Sequence, residues 1–278
     1  ADLGTGAKTV LAQICAETLG CCYEDISVLA GDTDLVPYDL GAYASRTTYI
    51  AGGAVQQASQ QAKDRLLRLA SEKLSVPVET LSVQQGYIRI AGQPESVVPI
   101  AHVLGPEQGP PAETITGQAR NQPLNAYSFA AQFAEVEVDT ETGHVRVLRM
   151  VAVHDIGRAI NPAAAEGQVE GGLHQGIGYA LLEDLVIDGR TGRALNPNFV
   201  DYKLLTSLDM PQMEVEFVET GLGDGPYGAK GVAEDSLCPT APAITNAIYH
   251  ATGVRITQLP VNPEQLLAAM KENATTKT

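Results

Sequence analysis

Basic residues are scarce in this chain: 18 Lys and Arg stand against 33 Asp and Glu, a formal net charge of −15 over 278 residues. Such a balance repels phosphate backbones and anionic lipid, so nucleic acid is not expected as a partner. No run reaches the roughly 18 apolar residues of a membrane span, and no charged-then-apolar leader opens the chain. Neither a span nor a signal peptide is expected. Cys15, Cys21, Cys22 and Cys238 form no C-x-x-C pair, which argues against zinc or iron–sulfur ligation and leaves buried free thiols in reducing, cytoplasmic surroundings as the expectation. His154 and His174 lack the four-residue spacing of a metal-binding helix and have no Cys or third His near them in sequence. Internal repeats, Walker and dinucleotide fingerprints and a serine nucleophile elbow are missing as well. The chain opens on Asp2-Leu3-Gly4-Thr5-Gly6 without an initiator Met, so a processed product, a fragment or one subunit of a split enzyme is expected, and the missing leader says little about location.

What is present suits a globular protein. A hydrophobic content of 44% allows a substantial core, in one large domain or two ordinary ones, with a division expected at 1–127 and 128–278. Residues 6–19 carry Val10, Leu11, Ile14 and Leu19 at helical spacing, and Ile26-Ser27-Val28-Leu29 reads as a short strand before the polar turn Gly31-Asp32-Thr33-Asp34. A long helix is expected over 51–74, then a return to sheet through Leu81, Val83 and Tyr87-Ile88-Arg89-Ile90. Residues 101–124 read as an extended loop or boundary. Ala134, Val136 and Val138 alternate with acidic residues, and after Thr140-Glu141-Thr142-Gly143 the strand resumes at Val145, which predicts a hairpin with one solvated face. Residues 162–182 read as a helix despite glycines at 167, 171, 172, 176 and 178, each costing up to about 1 kcal/mol relative to alanine. Close packing on another backbone, or on a flat cofactor, would offset that. Strands around Tyr202 and over 213–217, a glycine-rich loop at 221–231 and helices over 239–251 and 263–271 complete an α+β or mixed α/β sandwich-like fold.

Three segments can carry chemistry. In Gly225-Pro226-Tyr227-Gly228-Ala229-Lys230-Gly231-Val232-Ala233-Glu234 the glycines permit close approach to a bound group, and Glu234 stands where the loop meets a helix. A carboxylate kept dry is a competent general base near neutral pH. An acidic residue at a helix start, with Asp235 sharing the role, is the competing reading. The second segment runs from His154-Asp155-Ile156-Gly157-Arg158 through Asn161-Pro162 to Gly167, Gln168 and Gln175. Asn161 suits a helix cap, and the two glutamines can donate and accept toward a polar heterocycle, unless the segment is simply a tightly packed, capped helix. The third pairs Gly4, Thr5, Gly6 and Ala7 with Gly41-Ala42-Tyr43-Ala44-Ser45-Arg46-Thr47-Thr48, a supply of main-chain and hydroxyl donors for a phosphate or pterin edge.

In this order the motifs resemble the molybdenum-binding subunit of the xanthine dehydrogenase and aldehyde oxidase family, over essentially the whole chain. The resemblance implies that molybdopterin, often as its cytosine dinucleotide, holds molybdenum through dithiolene sulfurs with no protein ligand. Gly4, Thr5, Gly6 and Ala7 would approach that cofactor, and Tyr43, Ser45, Arg46, Thr47 and Thr48 would bind its phosphate or nucleotide part. Gly167, Gln168 and Gln175 would line the pterin, with Lys230 and Gly231 beside it. Glu234 aligns with the family's catalytic glutamate, which takes a proton from a Mo–OH group as the oxygen attacks an electron-poor carbon of an N-heterocycle (nicotinate or purine type) and hydride passes to a sulfido or selenido ligand. An aldehyde-oxidising subunit, or a non-catalytic structural or assembly subunit, is the alternative.

Thr5 stands where many relatives carry Gln, Ala233 where many carry Gly, and an earlier Gly-Gly-Phe-Gly-Gly loop has no counterpart. A second molybdopterin-binding chain or an N-terminal half is therefore expected to complete the pocket, as in split subunits of the nicotinate dehydrogenase kind. Iron–sulfur ([2Fe-2S]) and FAD subunits are expected as electron-transfer partners.

Overall fold

The computed structural model describes residues 1–105, 114–121 and 127–276. It divides into two compact units, Ala1–Ala126 with Gly221–Gly231, and Tyr127–Thr220 with Val232–Thr278. The chain thus returns to the first unit for a single glycine-rich loop.

In the first unit α1 spans Ala7–Leu19 and buries Val10, Ile14 and their small neighbours. Gly20 ends it in the left-handed region (φ 84), returning its N–H to the Ala16 carbonyl at 2.8 Å. A side chain at this position would also strike the Val83 carbonyl, 2.2 Å from an ideal Cβ, so glycine is required twice over. The long helix α2 (Gly52–Leu74) follows a π-helical turn at Thr47–Ala51. Strands β1 (Leu81–Gln84), β2 (Tyr87–Ile90) and β3 (Gln93–Pro99) form an antiparallel sheet in that order, and the short helix α3 (Ile100–Leu104) follows. Gln85 and Gly86, both at positive φ (51 and 77), make the two-residue turn that matches strand twist in a β1–β2 hairpin. Leu66 and Ala70 of α2 pack with Leu81, Val83, Ile88 and Val103 as the core of this unit.

Two expectations change here. Ile26-Ser27-Val28-Leu29 forms no ladder with any described residue. Its alternation is real, with Ile26 and Val28 half-buried and Ser27 and Leu29 exposed, but alternation marks an extended chain and not a partner. The expected loop at 101–124 begins inside α3, has no regular structure over 114–121, and otherwise lies outside the described residues.

In the second unit β4 (Phe129–Val138) and β5 (Val145–Asp155) pair antiparallel, with a register shift at Glu135/Val136. Every second residue of β4 is exposed, as the alternating sequence predicts. Asn161 begins α4 (Pro162–Leu181) by accepting the Ala164 N–H at 3.1 Å, and Pro162 takes the first helical position, where a missing donor does no harm. After a long excursion β6 (Gln212–Val218) returns parallel to β5, giving the sheet order β4-β5-β6. The single-turn helix α5 (Glu234–Leu237), then α6 (Thr240–Thr252) and α7 (Pro263–Thr276), complete the unit. Val169, Leu173, Ile177 and Ala180 form one fully buried stripe of α4 against Met150 and Ala152 of β5 and Ile244 and Ile248 of α6. Each large aliphatic chain there contributes about 1.5–3 kcal/mol.

The strand expected around Tyr202 is instead a turn. The Asn198 carboxamide accepts the N–H groups of Val200 and Asp201 (2.9 and 3.1 Å), a local bond that competes with strand formation, and the Tyr202 hydroxyl donates to Glu183 at 2.7 Å. The thiols are free, and Cys15, Cys21 and Cys22 are half-buried, but Cys238 is exposed where burial was expected. Burial pushes the Cys21 thiol up.

Candidate functional site

The candidate residues gather in two sets, one in each unit. In the first, Gly4, Thr5 and Gly6 form the turn that leads to Ala7 at the start of α1, with Gly4 and Gly6 at positive φ (92 and 76). Asp2 organises this turn: its carboxylate accepts the Gly4 N–H (3.1 Å) and the Lys8 N–H (3.3 Å), and chiefly the Lys8 amide holds it below the usual carboxylate range. Two donors that a phosphate could use are therefore already engaged by the chain itself. An Asp two residues before a glycine was the available signal.

The segment from Tyr43 to Thr48 is tightly bent. Ala44 and Ser45 both sit at positive φ (56 and 50), a conformation that non-glycine residues hold only when their surroundings fix it. Arg46 lies 5.3 Å above the Tyr43 ring and donates to its hydroxyl at 3.3 Å, so its guanidinium is held against an exposed aromatic edge. Thr47 and Thr48 open the π-helical turn, a distortion that occurs often at functional sites. Gly231 comes against this segment: a Cβ there would be 2.1 Å from the Ser45 carbonyl oxygen. Ala229 and Lys230, just before it, are buried. On the other side of the same loop the Tyr227 hydroxyl shares a 2.7 Å hydrogen bond with Thr18 of α1. The first and third motifs are thus brought together through Ser45 and Gly231.

In the second unit, the turn from β5 to α4 is tied to the end of β6. Asp155 accepts from Gly157 N–H (3.1 Å) and the Thr220 hydroxyl (3.0 Å), while Glu219 accepts from Ala159 N–H (2.9 Å). The glycines of α4 do two different things. Gly172 and Gly176 are buried contacts, where a Cβ would lie 1.9 Å from Ser236 Oγ and 2.4 Å from Thr240 Cβ. Gly167 and Gly171 have nothing within 4 Å among the described residues, and Gln175, one turn further on, is exposed in the same row while Gln168 is half-buried. Glu234 is the first residue of α5, which packs on α4 at Gly172, and its side chain is exposed. The described residues do not supply the dry surroundings expected for it.

Beneath Glu234 is a polar cluster. His154, fully buried on β5, meets Asp235 through Nδ1 at 3.2 Å. Gln132 on β4 donates to the Ser236 carbonyl (2.6 Å) and accepts from Thr240 (2.7 Å). Gln132 carries no motif that sequence reasoning could use; His154 opens the second segment, but nothing in the sequence pairs it with Asp235. Among the described residues no three His, Cys, Asp or Glu side chains gather as a metal site, and no helix is long and apolar enough to cross a membrane.

The sequence matches the molybdopterin cofactor-binding domain over residues 1–211. It is 38% identical over 274 residues to the xanthine dehydrogenase molybdenum-binding subunit of Escherichia coli O157:H7, covering 95% of this chain and 36% of that protein. To the 6-hydroxypseudooxynicotine dehydrogenase complex subunit gamma of Paenarthrobacter nicotinovorans it is 34% identical over 277 residues, 96% of this chain and 35% of that one. The crystal structure of quinoline 2-oxidoreductase from Pseudomonas putida 86 superposes with a TM-score of 0.88 at 32% identity, over 98% of this chain and 36% of that chain. The chain spans about a third of the length of the relatives it matches.

Proposed function

We propose, from the premise that this chain belongs to the molybdopterin cofactor-binding domain family of xanthine dehydrogenase-type proteins, that it forms the C-terminal, cofactor-embracing part of a molybdenum hydroxylase in which Glu234 is the general base. The observation that carries this reading is the placement of Glu234: first residue of α5, at the end of the glycine-rich loop, on a helix seated against α4 at Gly172.

The open glycines fit a flat, polar cofactor. Gly4 and Gly41 combine positive φ with no described residue within 4 Å of where a side chain would project, and Gly167 and Gly171 leave α4 smooth on one row, so that a planar group can approach main chain in either unit. Gly4 to Ala7, with Lys230 and Gly231, would hold the cofactor on the first unit, and Gly167, Gln168 and Gln175 on the second. Tyr43, Ser45, Arg46, Thr47 and Thr48 would take its phosphate or a cytosine nucleotide, with Arg46 held over Tyr43 to neutralise charge. When bound, the molybdenum centre supplies the two-electron oxidation and the delivery of a water-derived oxygen.

Glu234 supplies what such a centre lacks, a carboxylate that removes one proton as the new carbon–oxygen bond forms. Glu234 is exposed in this chain, so on this reading the exclusion of water would fall to the other two thirds of the length seen in relatives, or to a second molybdopterin-binding chain. An electron-poor N-heterocycle of the nicotinate or purine type is the proposed substrate, with iron–sulfur and FAD subunits taking the electrons onward, in the cytoplasm.

The test is Glu234→Gln in the native complex. Hydroxylation is expected to fall at least about 100-fold, within the range of general-base catalysis, with molybdenum and pterin content unchanged. Near-normal turnover would overturn the assignment, and a complex without pterin would favour a structural role.

A further inference from the structure

The helix that carries Glu234 has four residues, too few to be stable by itself, since helix nucleation is unfavourable and most helical stability comes from packing. Something else must fix its first turn. The residues on both sides of Glu234 are tied down individually. Asp235 Oδ1 accepts the Ala233 N–H at 2.9 Å, while its Oδ2 faces His154 Nδ1 at 3.2 Å. Ser236 donates both its N–H (3.0 Å) and its hydroxyl to the Ala233 carbonyl, and its own carbonyl takes the Gln132 amide. Thr240 closes the set by donating to Gln132. His154 and Ser236 have no exposed surface, and Asp235 retains 16% of its side-chain exposure.

We infer that His154, acting through Asp235, is a positioning residue for Glu234: it anchors the α5 start to β5, so that the carboxylate leaves the backbone in one direction. The inference rests on the reading of Glu234 as the base. The chemistry is directional. A carboxylate only accepts, so Nδ1 carries the hydrogen, and Asp235 then has one oxygen for the imidazole and one for the Ala233 amide. Remove the imidazole donor and the Asp235 side chain is free to rotate, which releases Ala233 N–H and with it the residue preceding the base. The His154 Nε2 atom is buried without a hydrogen-bond partner among the described residues. Leaving one ring nitrogen unsatisfied is unfavourable and needs a return, and among the described residues the contact with Asp235 is the hydrogen bond this ring makes. A metal-ligand role is not supported, because no other ligand-type residues complete a cluster among the described residues.

The experiment compares two amide replacements in the native holoenzyme. His154→Asn places a donor where Nδ1 stands; His154→Gln reaches instead toward the Nε2 position. His154→Asn is expected to keep kcat within about threefold of the parent. His154→Gln and Asp235→Ala are expected to lower kcat about 10- to 100-fold with KM within about twofold, and to speed hydrogen exchange at Ala233 and Ser236 at least about tenfold. Equal losses in His154→Asn and His154→Gln would overturn the inference, because only packing would then matter, as would unchanged exchange at Ala233 in Asp235→Ala. Where a variant fails to assemble, the unsubstituted enzyme decides: the Ala233 and Ser236 amides should exchange as slowly as those of β5, and exchange at loop rates would refute the clamp. A full-speed Glu234→Gln enzyme that still shows slow Ala233 exchange would instead remove the base and leave the clamp standing.

Discussion

A Cβ on Gly231 would stand 2.1 Å from the carbonyl oxygen of Ser45, and 2.9 Å from its Cβ. The obstacle is main chain, so no side-chain rotation relieves it, and the Ser45 backbone is already committed to positive φ. Gly231→Ala is therefore expected to destabilise the first unit by about 1–3 kcal/mol, the usual range for overpacking. Thermal unfolding of the assembled protein should show the loss, together with faster proteolysis within residues 41–48. An unchanged melting temperature would mean that the two segments separate freely.

Gly172→Ala is expected to act on chemistry more than on folding. The new methyl would lie 1.9 Å from Ser236 Oγ and 3.1 Å from the Ser236 backbone carbon, so it would push on α5 two residues from Glu234. On the proposed role of Glu234, kcat should fall at least about tenfold with little change in KM, because displacement of a reacting group by a fraction of an ångström to 1 Å is enough to slow the step. Steady-state kinetics on the native complex checks this, and a change confined to KM would contradict it.

The major helices and the β4–β5 hairpin were legible because each obeys a local rule. Asn161-Pro162 announces the start of α4, and the valines of β4 and β5 alternate with polar residues. What the sequence concealed was non-local. Ile26-Ser27-Val28-Leu29 has the pattern of a strand, but pairing depends on a neighbour that no local pattern identifies. Gln132 has no signature at all, and becomes part of a polar cluster only when β4 meets Ser236 and Thr240. The glycines of α4 looked equivalent in sequence; their division into buried contacts at 172 and 176 and open positions at 167 and 171 appears only once α5 and α6 are in place. The same applies to Gly221–Gly231, whose return to the first unit follows from packing on Ser45 and α1.

Acid should weaken the second unit through a turn it uses twice. Asp139-Thr140-Glu141-Thr142-Gly143 and Asp188-Gly189-Arg190-Thr191-Gly192 fold alike, the Asp carboxylate accepting the next two available amides, at 2.8 and 3.2 Å in the first turn and 2.8 and 3.3 Å in the second. The amides of Glu141 and Arg190 respectively do most to hold these carboxyls below their usual range. A lowered folded-state pKa means that the unfolded chain binds the proton first on acidification. The stabilisation is complete above the ordinary carboxylate value and disappears as pH falls through the lowered one. Asp139→Asn and Asp188→Asn should therefore lose stability at neutral pH and match the parent at strongly acid pH, which denaturant titration at the two pH values measures. A deficit that persisted unchanged in acid would show that charge is not the source.

Gly167 and Gly171 separate what folding requires from what a cofactor would require. Both lie inside α4, no described residue comes within 4 Å of where a Cβ would stand, and neither has positive φ, so alanine meets no obstacle among the described residues. Helix propensity alone then predicts that Gly167→Ala and Gly171→Ala stabilise the cofactor-free protein by about 0.5–1 kcal/mol each. If α4 is smooth because a flat pterin lies along it, the same methyl groups should lower pterin and molybdenum content in the purified complex while the melting temperature of the cofactor-free form rises. Opposite movement of these two quantities is the expected result. Full cofactor content in both variants would place the pterin elsewhere and reduce these glycines to positions that folding merely tolerates.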